Sequence, residues 1–110
     1  MVEAAVVNSV RRYLGKLVEA GLEARFAVVF GSQISGESDA WSDIDVVVVS
    51  PVFDGAFPRE AVNRLWRIAA RTDSRIEPVP CGELQWLEDT GIPIIETARK
   101  EGLRVSPEKD

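Results

Sequence analysis

Histidine is absent from this 110-residue chain, and cysteine, methionine and tyrosine occur once each. Without histidine there is no Ser-His or Cys-His nucleophile, no imidazole general base and no ordinary zinc site. The lone cysteine, Cys81, cannot close an internal disulfide, so the expected environment is reducing and the expected location cytoplasmic. Long apolar runs are missing too. Val46–Val49 and Phe26–Phe30 fall far short of a membrane span, and a start that carries Glu3 lacks the basic segment of a secretory leader. Basic residues are in the minority, 13 against 18 acidic for a net charge of −5, which argues against stable direct binding to bare nucleic acid. Chemistry is thereby restricted to carboxylates, hydroxyls, lysine, arginine and a bound metal.

What is present suits a folded domain. Hydrophobic residues make up 45% and charged residues 28%, a globular rather than a disordered balance. The expected organisation is one domain over residues 1–105 and a frayed tail over 106–110. Val6, Val10, Tyr13, Leu14, Leu17 and Val18 recur at helical spacing and predict a helix from about 3 to 20, stopped by Gly21. Arg25–Phe30 reads as a buried strand, with a helical turn after Ser32. Asp43–Ser50 reads as a second strand, apolar on both faces. After a turn-rich connector, Pro58 opens a helix with Val62, Leu65, Trp66 and Ala69 on its apolar stripe, ending near Thr72-Asp73. Arg75–Pro80 reads as a third strand, marked as an edge by Pro78 and Pro80. Glu83–Glu88 predicts a short helix broken at Thr90-Gly91. Pro93–Glu101 predicts another, capped by Gly102, with Leu103–Val105 as a closing strand. The expected fold is α/β (α+β), a small mixed sheet flanked by helices.

The chemistry concentrates between the first two strands. Asp43 and Asp45 lie two apart on a strand, so their side chains leave the same face. Like charges that close call for a cation, and a rigid pair of carboxylates suits Mg²⁺ together with substrate phosphates. Gly31 ends the preceding strand, where a missing side chain lets backbone approach a ligand. The Ser32 hydroxyl and the N–H groups of a following turn can then hold a phosphate.

Gly31-Ser32, ten intervening residues, then Asp43-Ile44-Asp45, with Ser42 before the pair and Val46–Val49 after it, resembles the signature of the minimal nucleotidyltransferases of the DNA polymerase β-like superfamily. The resemblance covers most of the chain, including the ending IIETARKEGLRV. It implies the polymerase β-like fold, two Mg²⁺ ions held by Asp43, Asp45 and a third carboxylate, and ATP as nucleotide donor bound by Gly31, Ser32 and Ser42. By position Glu77 is that third carboxylate and a candidate proton acceptor, although aspartate is more usual there. Gln33-Ile34-Ser35 stands where many members carry arginines. The resemblance also implies a helical HEPN toxin as partner. The expected function is then that of an antitoxin which transfers AMP to a tyrosine of the toxin.

Two other readings stand beside this one. The chain could be a non-catalytic module that neutralises its partner by contact alone, or a homo-oligomer acting on a small molecule. Trp41, in the loop before Ser42, is open to stacking on a base or a partner or to bracing its own loop. Trp66, Trp86 and Cys81 are expected in the core. Arg64, Arg67 and Arg71 share one helix face, expected to be solvated.

Overall fold

The computed structural model describes residues 2–39, 41–88 and 91–107. Helix α1 (Ala4–Glu19) leads into strand β1 (Phe26–Phe30) and a single helical turn, α2 (Ser32–Ser35). Strand β2 (Ile44–Val49) follows, then a 3₁₀ turn at Pro51–Phe53 and helix α3 (Arg59–Thr72). Strand β3 (Ile76–Cys81), helices α4 (Glu83–Glu88) and α5 (Pro93–Glu101), and strand β4 (Leu103–Val105) complete the order. The four strands form one sheet in the order β3-β2-β1-β4. β1 runs antiparallel to both β2 and β4, whereas β2 and β3 are parallel and joined across α3.

β2 is covered on both faces, which is why it reads as continuous valine. Ile44, Val46 and Val48 meet Val10, Tyr13, Leu14 and Leu17 of α1 and Leu65 and Ala69 of α3. Val47 and Val49 point the other way, to Val28, Cys81, Trp86 of α4 and Ile95 and Ala98 of α5. Alternation puts Asp45 on this second face, just past the apolar cover. It is the one position of β2 that is not fully buried.

Local chemistry explains the joints. Burial pushes the Tyr13 phenol far above its ordinary range, and its hydroxyl donates to the Leu65 carbonyl at 2.9 Å, tying α1 to α3. Arg99 lies over the Trp86 ring and donates to the Trp86 carbonyl, clamping α5 to α4. The Ile44 N–H donates to Arg75 O and the Ser50 N–H to Cys81 O, so odd positions of β3 face β2. Positions 78 and 80 then point outward, and both are proline. That edge has no N–H to offer a further strand.

The expected elements are present; β1 starts one residue later than expected and β3 is shifted by one residue, and three further adjustments follow. Trp66, expected in the core, is 48% exposed. A helix turns about 100° per residue, and the buried stripe of α3 is Ala61, Leu65 and Ala69, which leaves position 66 at its flank. Val18 is displaced from the α1 stripe for the same reason and is also 48% exposed. β2 begins at Ile44 rather than Asp43, because Ile44 carries the first ladder bond. The expected break at Thr90 and the end of the expected tail, 108–110, lie outside the described residues.

Candidate functional site

The site forms where β1 ends and β2 and β3 begin. Antiparallel pairing sets Phe30 opposite Asp45, and parallel pairing sets Asp45 opposite Glu77. Neighbouring residues at one register level point to one side of a sheet. Asp45 and Glu77 therefore share a face, and Asp43, two residues before Asp45, joins them. The structure brings together the three carboxylates that lie 34 residues apart at most in the chain.

Gly31 shapes the floor. Its φ of 76° and ψ of −146° are open only to glycine. A side-chain carbon at this position would stand 2.6 Å from Asp45 Oδ2 and 3.4 Å from its carboxyl carbon. The Asp45 carboxylate thus rests directly against backbone. The next residues turn at once into α2, where Ile34 and Ser35 donate to the Gly31 carbonyl at 3.0 and 3.2 Å. The N–H groups of Ser32 and Gln33 precede these bonds, at the end of the turn that carries the half-buried Ser32.

Gln33 is the residue that spacing alone did not mark. It is only 4% exposed, and its Nε2 donates to the Asp43 carbonyl at 3.2 Å. The amide pins the start of β2 to α2 and so sets where the Asp43 side chain begins. In the sequence it stands out only as a departure from arginine. Its inward direction depends on α2 being a single turn packed on β1 and β2.

Glu77 and Asp45 are shifted in the same direction. Glu77 is raised from its ordinary value, first by its interaction with the Asp43 side chain, then by desolvation and the charges of Asp43 and Asp45. Asp45 is raised by desolvation and by the Asp43 charge. The interactions that raise Glu77 and Asp45 in this way are ones a bound cation would offset. Among the described residues no trio of His, Cys, Asp or Glu side chains is arranged to hold a metal ion. The donor set itself, carboxylate oxygens against an exposed backbone, is of the hard type that divalent cations with phosphate ligands use.

Ser42 is engaged elsewhere. Its hydroxyl donates to Asp39 Oδ1 at 3.2 Å and accepts the Asp39 N–H at 2.9 Å, bracing the loop before Asp43. Arg75, next to the trio in sequence, is turned to Asp73, with Nη2 2.8 Å from Oδ2. Cys81 is fully buried and its thiol is pushed up to about 11, chiefly by desolvation, which removes it from nucleophilic chemistry.

Residues 9–98 match the model of the nucleotidyltransferase domain family. No curated protein sequence matches the chain. Among solved structures, one similar fold is a candidate nucleotidyltransferase from Sulfolobus solfataricus, with a TM-score of 0.58 and 12% identity over 91% of this chain and 78% of that one. Another is a toxin–antitoxin structure with AMP-PNP, with a TM-score of 0.58 and 18% identity over 88% of this chain and 73% of that one. At such identities the likeness is one of fold. No helix of the described residues is long and apolar enough to cross a membrane.

Proposed function

The chain belongs to the nucleotidyltransferase domain family, and from that premise we propose that it transfers AMP from ATP to a hydroxyl of a protein partner. The observation that carries this reading is the meeting of Asp43, Asp45 and Glu77 on one sheet face, with Gly31 backbone packed against Asp45. The partner we propose is a toxin with a HEPN-type helical fold, modified on tyrosine and thereby silenced. A toxin–antitoxin complex among the similar folds supports that context.

Asp43, Asp45 and Glu77 are the residues that would hold Mg²⁺. When bound, the ions supply charge neutralisation and Lewis-acid polarisation of the phosphates. The Ser32 and Gln33 N–H groups and the Ser32 hydroxyl would hold the β- and γ-phosphates. The acceptor oxygen attacks the α-phosphorus, the bond from that phosphorus to the bridging oxygen breaks, and pyrophosphate leaves. The acceptor's proton passes to a carboxylate. Glu77 is the candidate acceptor by its position beside Asp45. Ser42, bonded to Asp39, contributes by holding the loop beside the nucleotide.

One observation favours a second reading. Because no trio of His, Cys, Asp or Glu side chains stands in metal-holding geometry among the described residues, a non-catalytic module that neutralises its partner by contact is the alternative. The test is incubation with ATP labelled at the α-phosphate, Mg²⁺ and the co-expressed partner. Label on the partner's tyrosine, lost in Asp43→Asn/Asp45→Asn, is the expected result. Full neutralisation of the partner by that double variant, with no label transferred by either protein, would favour contact and sink the transfer reading.

A further inference from the structure

Trp41 is 88% exposed, more than any other large apolar side chain among the described residues, yet the backbone that carries it is fixed. The Asp39 carboxylate accepts the Trp41 N–H at 2.8 Å and the Ser42 hydroxyl at 3.2 Å. The Asp39 N–H donates to Ser42 Oγ at 2.9 Å, and the Ser42 N–H closes the turn on the Asp39 carbonyl at 3.2 Å. Such bonding fixes the turn in advance, so ordering it on binding costs little. The indole, meanwhile, forgoes the burial of roughly 150–250 Å² that an aromatic side chain gains in a core.

Topology places this turn at the rim of the site. One end of the loop leaves α2, which starts next to Gly31, and the other runs into Asp43. Trp41 stands two residues before Asp43, a reach of roughly 7 Å along extended chain. A base joined through its ribose to phosphates held at Gly31 and Asp43 would project from the site, and Trp41 is the aromatic residue nearest to Asp43 along the chain.

The surroundings narrow what could cover it. Glu37, Asp39 and Asp43, all within four residues of Trp41 in the chain, are exposed, and Ile34, the other apolar residue of the segment, is partly buried. A protein anchor sits inside a ring of contacts that exclude water. An isolated indole among carboxylates lacks that ring. A small planar ligand, its own negative charge compensated by a divalent cation, fits better than an apolar protein surface.

We propose that Trp41 is the base platform of the site, its indole stacking on the nucleobase of the bound triphosphate. The inference rests on the nucleotidyl-transfer reading above and adds how the base is held. Stacking uses the π-face that every base has, so this contact tolerates the identity of the base. MgATP and MgGTP are expected to bind alike.

The test is calorimetric titration of MgATP, MgGTP and magnesium tripolyphosphate into the wild-type chain, Trp41→Ala, Trp41→Phe and Asp43→Asn/Asp45→Asn. Trp41→Ala should weaken both nucleotides about tenfold, Trp41→Phe no more than about threefold, and neither should change tripolyphosphate binding. Nucleotide affinity unchanged in Trp41→Ala, but lost in the double aspartate variant, overturns the platform and leaves the transfer reading intact. Equal weakening of tripolyphosphate and nucleotide by Trp41→Ala also overturns it, because the loop rather than the stack would then matter. A wild-type chain that binds neither nucleotide nor tripolyphosphate sinks both readings.

Discussion

Gly31 shows how one missing side chain serves both backbone and chemistry. Its positive φ is the smaller demand, and the carboxylate 2.6 Å from where a side-chain carbon would stand is the larger one. Gly31→Ala adds backbone strain of about 1–3 kcal/mol and pushes Asp45 off the position it shares with Glu77. Chemical denaturation should report a loss of that size, and MgATP binding should fall further than the stability loss explains. Unchanged binding in a folded Gly31→Ala protein would mean that the place of Asp45 against the backbone is unimportant. Glu77 and Asp43 argue similarly at this scale. Neither is unusual in sequence, and the site is their proximity.

At the scale of elements, the joint between α3 and β3 holds the third carboxylate in place. Arg75 donates to both oxygens of Asp73, and Ser9 of α1 is a smaller influence favouring the charged carboxylate. These bonds, the Arg75 side-chain contact first among them, hold the Asp73 carboxyl down at about 2, against the opposing effect of burial. A carboxylate depressed on folding stabilises the fold above its unfolded value, near 4, and loses that contribution as pH falls through the folded value. Asp73→Asn should therefore cost about 2 kcal/mol at pH 7. The difference from wild type should shrink steadily between about pH 4 and pH 2. A pH-independent difference in urea midpoints would assign the effect to packing instead. Because Glu77 lies four residues beyond Asp73, loosening this joint is also a way to disturb the site without touching it.

At the scale of the molecule, the sheet separates two helical layers of different character. α1 and α3 carry seven of the thirteen basic residues and two of the eighteen acidic ones, whereas α4 and α5 together carry two basic and four acidic. Cys81 lies fully buried under the second layer, in contact with the cluster that holds Trp86 and Ile95. Its thiol, raised to about 11 by desolvation, is protonated as well as hidden. Labelling by a disulfide reagent at pH 8 should be at least about 10³-fold slower than for a free thiol, accelerating with denaturant in step with global unfolding. Fast labelling without denaturant would mean that α4 and α5 lift off the sheet by themselves.

Much of this was legible in the sequence because it is written in short-range periodicity. The valine run of β2, the stripe of α1, the prolines of β3 and the glycine stops are local facts, and the elements follow them closely. Asp43 and Asp45 belong to this class, since alternation along one strand puts them on one face. The readings that needed correction, Trp66 and Val18, sit at the flank of a helical stripe. There the partner layer, not the period, decides burial. Gln33 turned inward because α2 is a single turn wedged between two strands, a constraint no composition reveals. The place of Glu77 beside Asp45 was set only when α3 crossed over and laid β3 parallel to β2 in that register. The sequence by itself determined which groups could do chemistry and the local shapes that carry them. The tertiary structure alone decided which groups meet, because contacts across strands depend on a register that no local period encodes.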